Sequence, residues 1–176
     1  MGSRGGTSSG IAPARRAAWS AAGEAERSVA KQPSGRASAR PGHEAAGGDD
    51  AGAYLLYLNL SSRLTLEAGS LGTIELAPGR YAYVGGARRS IAARVARHCR
   101  LARAKSGRPH WHVDYLLVHP AVRLAEVVVY ERVAECALAR RLACRRGVSV
   151  AVPHFGASDC RSGCRTHLYR LAAGKA

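Results

Sequence analysis

The segment Tyr81-Ala82-Tyr83-Val84-Gly85-Gly86-Ala87 and the arginine-rich stretch from Arg88 to Arg103 constrain this chain more than any other feature. Tyr81 and Tyr83 alternate with smaller residues until the run meets Gly85-Gly86, and beyond Arg88 the apolar residues recur at helical spacing. The pattern predicts a strand that feeds a basic helix. Glycines at such a junction let a phosphate or a second backbone come close, and the helix offers guanidinium groups to whatever sits there. A phosphodiester fits that description.

The charge distribution points the same way. The 176 residues carry a formal charge of +15, and 20 of the 27 basic residues against 7 of the 12 acidic ones fall in residues 51–176. No acidic residue lies between Leu76 and Val113, where Arg80, Arg88, Arg89, Arg94, Arg97, Arg100, Arg103, Lys105 and Arg108 are concentrated. A polyanion is the implied partner, with nucleic acid ahead of an anionic membrane surface; Arg88, Arg89, Arg97, Arg100 and Arg103 are the candidate nucleic-acid contacts. The plainer alternative is a solvated face rich in arginine. No apolar run reaches the length of a membrane span, so a soluble chain is expected. Five cysteines, an odd number, fit a reducing compartment better than a disulfide framework. A cytoplasmic, nucleoid-associated location follows as the expectation.

Residues 1–50 are of different material. Gly, Ala, Ser, Arg and Pro dominate, Trp19 is the sole aromatic residue, and no apolar stripe repeats, which predicts a disordered extension. Ala14-Arg15-Arg16-Ala17-Ala18 is in keeping with a transit peptide, but Glu24, Glu26, Glu44, Asp49 and Asp50 argue against one. Organellar targeting stays an open alternative. A single domain is expected over residues 51–171, with 172–176 as a tail.

Within the domain, Tyr54, Leu56, Leu58 and Leu60 share one face of a predicted strand, alternating with Leu55, Tyr57 and Asn59. A hairpin follows: Leu64 to Leu66, a turn at Gly69 to Gly72, and Thr73 to Leu76. Ala77-Pro78-Gly79-Arg80 has the residues of a type II turn. The strand Arg80 to Val84 then returns beside the first, bringing Tyr54 close to Tyr83. A helix is expected from about Arg88 to Ala104, with Ile91, Val95 and Ala102 as its core stripe, and with Arg94, Arg97 and His98 off that stripe and facing a ligand. His110 to Leu117 reads as a short helix with strand as the alternative, and Leu124 to Tyr130 as a buried strand. A second long helix is expected from about Arg132 to Arg146, with Ala134, Leu138 and Leu142 as its stripe and Gly147 closing it. The fold class is α+β, a small antiparallel sheet with an inserted hairpin, flanked by helices.

Gly52-Ala53-Tyr54, Tyr83-Val84-Gly85, an arginine on the following helix and a glutamate opening a later one, in that order, resemble the GIY-YIG nuclease superfamily. The chain is most similar to the uncharacterised GIY-YIG-like branch sometimes fused to or beside endonuclease III. The hairpin, the Trp111-His112 segment and Phe155-Gly156-Ala157-Ser158-Asp159-Cys160 carry that closer resemblance. It implies a metal-dependent endonuclease acting on DNA, with repair as its setting and an endonuclease III-like enzyme as a partner. Tyr54 and Tyr83 would lie side by side and orient or deprotonate the attacking water. Arg94 and His98 would be catalytic, and Glu135 would hold one Mg²⁺ or Mn²⁺ ion. Tyrosine is a poor base at its ordinary pKa of about 10, so the reading requires Arg94 or the cation to lower it. The alternative is a non-catalytic basic module that binds nucleic acid and serves a partner repair enzyme. Taken singly, the tyrosines read as strand aromatics and Glu135 as a residue complementing a helix dipole.

The tail holds a second set of donors. Cys160, Cys164 and His167 are a candidate zinc or structural cluster, with His154, His110 or His112 as a fourth ligand. Reduced cysteines packing the C-terminal segment are the preferred reading over Zn²⁺. Asp159 and His167 could instead border the active cleft. His112 and Asp114 suggest a dyad, but their spacing puts them on different faces of a helix.

Overall fold

The computed structural model describes residues 15–18 and 51–172. Its elements are β1 (Arg15–Ala18), β2 (Gly52–Leu60), β3 (Leu64–Glu67), β4 (Thr73–Leu76), β5 (Gly79–Ala87), α1 (Ile91–Ala104), α2 (His112–Leu117), β6 (Val122–Glu131), α3 (Glu135–Ala143), β7 (Val148–Val150) and β8 (Leu168–Leu171). The fold is α+β. The main sheet runs β1-β6-β2-β5-β8-β7, antiparallel throughout, and β3 and β4 form a separate two-stranded sheet.

β2 lies at the centre because both of its faces are apolar. Tyr54, Leu56, Leu58 and Leu60 enter one core cluster, and Ala53 and Leu55 enter the other. The first cluster is closed by α1, α2, the β3–β4 hairpin and Phe155. The second is closed by Leu138, Ala139 and Leu142 of α3. One layer of helix and hairpin therefore covers one sheet face, and α3 covers the other.

Register explains where the helices begin. β5 stays paired to β2 as far as Ala87 opposite Gly52, so the expected helix start at Arg88 is displaced to Ile91, after a left-handed Ser90 (φ 54°). β6 likewise pairs with Gly52 through Glu131, and Arg132 turns with φ 57°, so α3 starts at Glu135 rather than Arg132. α3 ends at Ala143, short of Arg146, and Ala134 is exposed at its N-cap rather than part of the stripe.

The expectation of disorder covered residues 1–50. Arg15–Ala18 instead pair with Glu126–Val129 of β6, which adds an edge strand, and the remainder of that stretch lies outside the described residues. No helix among the described residues is long and apolar enough to cross a membrane.

Candidate active site and metal cluster

The ends of β2, β5 and β6 that meet at Gly52, together with the first turns of α1 and α3, enclose a cleft of about 990 Å³. Arg88, Arg89, Arg94 and Arg132 line it, along with Glu135 and Asp159. The mouth is thus cationic, with two carboxylates on its wall.

The paired glycines build the floor. Gly85 stands opposite Tyr54 across the β2–β5 ladder, and a Cβ there would sit 2.3 Å from the Tyr54 ring. A Cβ on Gly86 would lie 2.7 Å from Glu135 Oε2. Neither position tolerates a side chain without moving a candidate site residue. Gly156, at φ 69°, does the same for Tyr83, whose ring would be 2.8 Å from a Cβ there.

Tyr54 and Tyr83 share one sheet face, Tyr83 lying opposite Leu56. Both are buried, at 1% and 5% exposure. The Tyr54 hydroxyl is 2.8 Å from His98 Nε2, and His98 Nδ1 is 3.1 Å from Asp114 Oδ1. His98 therefore does not face the open cleft, as its place off the α1 stripe suggested: it is 1% exposed, because α1 packs on α2 as well as on the sheet. Asp114 thus pairs with His98 rather than with His112. The other carboxylate oxygen of Asp114 accepts hydrogen bonds from Arg97 and from the backbone N–H of His110 and Trp111.

Burial pushes the Asp114 carboxyl upward, yet the hydrogen bonds from His98, the two backbone N–H groups and Arg97 outweigh it and hold the group well below the usual carboxylate range. Ionised Asp114 accepts the Nδ1 proton of His98, so Nε2 presents its lone pair to the Tyr54 O–H. Burial drives the Tyr54 hydroxyl well above the ordinary tyrosine range; Arg94 opposes this and Glu135 and Asp114 add to it. The expectation that Arg94 would leave a net lowering is corrected, since desolvation dominates. Tyr83 is raised as well, by burial and then by Tyr54.

Arg94 donates to the Gly86 carbonyl at 2.7 Å, and both Arg94 and Arg97 stack on Trp111, 4.5 and 4.7 Å from the ring centre. Trp111 thus orders two guanidinium groups rather than only filling the core. The expected nucleic-acid set divides: Arg88 and Arg89 are exposed at the cleft, Arg97 is engaged by Asp114, and Arg100 and Arg103 are exposed further along α1. Arg132 joins the cleft without having been foreseen, since a left-handed residue past a strand leaves no periodic signal.

Glu135, about one-third exposed, has Oε1 2.9 Å from His167 Nδ1. His167 belongs to a set with Cys136, Cys160 and Cys164 whose ligand atoms lie within 4.8 Å of one another, a group able to hold a metal ion. The fourth member is Cys136, and His110, His112 and His154 are not part of it. Cys136 directly follows Glu135 and belonged to no ligand spacing; only folding brings it to the tail.

A family model described as "Domain of unknown function DUF123" matches residues 53–176, most of the chain. The chain belongs to the DUF123 family. No curated protein and no solved structure matches it. The DUF123 match begins next to Gly52 and takes in the sheet apart from β1, together with the Arg, Tyr, Glu and Asp side chains of the site and the Cys/His cluster.

Proposed function

We propose that the cleft binds a nucleic-acid phosphodiester, with DNA the favoured polymer, and that the domain hydrolyses it as a GIY-YIG-type endonuclease using a divalent cation, with DNA repair as the setting. The observation that carries this reading is the convergence of Arg94 and Glu135 on Gly86 in an arginine-lined cleft, with Tyr54 buried against the neighbouring Gly85. Glu135 Oε2 and Asp159 on the same wall suit Mg²⁺ or Mn²⁺, which take one or two carboxylates and leave other positions to water and phosphate. Such an ion would neutralise charge on the phosphoryl oxygens and acidify a bound water.

The chain's own residues would do the rest. Arg94, held by the Gly86 carbonyl and the Trp111 face, meets the charge that builds on the phosphate as the bond breaks. Arg88 and Arg89 grip neighbouring phosphates. Tyr54 is a weak base alone, but its proton has an acceptor in His98 Nε2, and Asp114 stabilises the imidazolium that results.

A second reading has its own support. Tyr54 and Tyr83 are covered, Tyr83 by Phe155 and Gly156, while the arginine mouth stays open. This favours a non-catalytic module that binds nucleic acid for a partner such as an endonuclease III-like enzyme.

The test is incubation of the full chain with labelled duplex, single-stranded and branched DNA, with Mg²⁺ or Mn²⁺ or with EDTA, beside Arg94→Ala and Glu135→Ala. Hydrolysis predicts a metal-dependent product that falls at least about a hundredfold in either variant while binding persists. Salt-sensitive binding with no product under either metal would overturn hydrolysis in favour of the binding module.

A further inference from the structure

We propose that Cys136, Cys160, Cys164 and His167 form a structural zinc site that fastens the C-terminal loop to the first turn of α3. The four residues come from separate places in the fold: Cys136 from α3, Cys160 and Cys164 from the loop after β7, and His167 from the entry to β8. Nothing in a merely apolar tail would bring four soft donors within 4.8 Å.

The geometry fits one ion. Cys136 Sγ and Cys160 Sγ are 3.5 Å apart. Tetrahedral zinc with Zn–S near 2.3 Å sets thiolate sulfurs about 3.8 Å apart. A disulfide would need about 2.05 Å, and three thiols cannot all be paired within the cluster. All five cysteines are free.

His167 supplies an independent sign. It is 3% exposed, and neither ring nitrogen has a hydrogen-bond partner among the described residues. Nδ1 is 2.9 Å from Glu135 Oε1 but off the line that a hydrogen bond requires. Buried imidazoles are otherwise hydrogen-bonded, so one with only the Glu135 carboxylate beside Nδ1 and three sulfurs nearby points to a further partner. With Nδ1 2.9 Å from Glu135, Nε2 is the nitrogen left for the ion, and a small turn of the ring on binding would complete the carboxylate–histidine–metal arrangement common around bound zinc.

Three sulfurs and one imidazole select zinc over the hard cations suited to Glu135. With four protein ligands the site is closed, which marks it as structural. Binding would release the thiol protons and leave a net charge of −1, and Arg140 and Arg165 border the same hollow as Cys164.

The fold has a use for such a tie. No helix or strand occurs between Val150 and Leu168, and a loop of that length needs an anchor. Phe155 and Gly156 of this loop cover Tyr83, and Cys136 adjoins Glu135. Zinc would therefore set both the cover over the tyrosine and the carboxylate of the cleft. Metal content and unfolding are measured without reference to hydrolysis, so the zinc site stands or falls separately from the endonuclease reading.

The experiment is elemental analysis of the purified full chain with no metal added, followed by exchange of zinc for Co²⁺. We expect one zinc per chain, the intense visible bands of tetrahedral thiolate-bound cobalt, and an unfolding temperature that falls with a strong chelator and returns with Zn²⁺ but not Mg²⁺. Cys160→Ser and Cys164→Ser should lose the ion, whereas Cys144→Ser, exposed at the end of α3, should keep it. If the cluster variants do not fold, chelation and re-addition on the unaltered chain give the answer. A metal-free chain with no cobalt bands and chelator-independent unfolding would overturn the proposal, as would a Cys136–Cys160 disulfide or iron in place of zinc.

Discussion

Asp114 accepts hydrogen bonds from His98, Arg97 and the backbone of His110 and Trp111, and it has no exposed surface. Because these partners hold its folded-state pKa below the unfolded value of about 3.9, its contribution to stability is complete above that pH and is lost as pH falls through the folded value. Denaturant unfolding of the wild type should therefore lose stability below about pH 4, and Asp114→Asn should flatten that part of the profile. At pH 7 the same variant should be less stable by about 3 kcal/mol, because Arg97 and His98 lose a buried anionic partner. An unaltered acid profile would remove Asp114 from this role. Asp114 was visible in the sequence only as a doubtful partner of His112. Its real partner lies a helix away, and side-chain pairing between helices leaves no local spacing to read. His98 was placed outward for the same reason: a single-stripe reading of α1 has no knowledge of α2. Tyr54, Tyr83, Arg94 and Glu135, by contrast, were singled out by the resemblance, and only the placing of the two tyrosines on one sheet face came from strand alternation.

The β3–β4 hairpin carries Leu64, Ile74 and Leu76 into the same core cluster as Tyr54 and Tyr83. It is therefore part of the packing rather than a removable insertion. Leu76→Ala should destabilise the domain by about 2–4 kcal/mol in thermal or denaturant unfolding while leaving nucleic-acid affinity unchanged at temperatures where the variant is folded. Full stability after this change would mean that the hairpin is only loosely attached. Strands β2, β5 and β6 were readable from period-two alternation or β-branched density, and the return of β5 beside β2 was expected, whereas the pairing of β6 with β2 and of β8 with β5 spans long stretches of chain and left no local signal. The helix starts were not, because backbone pairing at Gly52 extends both flanking strands past the point where the helical pattern begins. β7 and β8 are short, and the loop between them has no period, so the tail was legible only as a motif.

At the scale of the whole molecule, two groups of arginines lie at opposite ends of α3. Arg88, Arg89, Arg94 and Arg132 surround the cleft at its N-terminal end, while Arg145 and Arg146 border a separate hollow beyond its C-terminal end. Net charge alone would let nucleic acid settle on either. Binding in the cleft is the central claim, and equilibrium binding of labelled duplex DNA as a function of salt tests it most directly. The chains to compare are wild type, the double variant Arg88→Ala/Arg89→Ala, and the double variant Arg145→Ala/Arg146→Ala. Removing one arginine–phosphate pair should reduce the slope of log K against log salt by about 1, so the cleft variant should drop by about 2 and the distal variant should keep the wild-type slope. An unchanged slope in the cleft variant, with the drop appearing in the distal one, would contradict binding in the cleft.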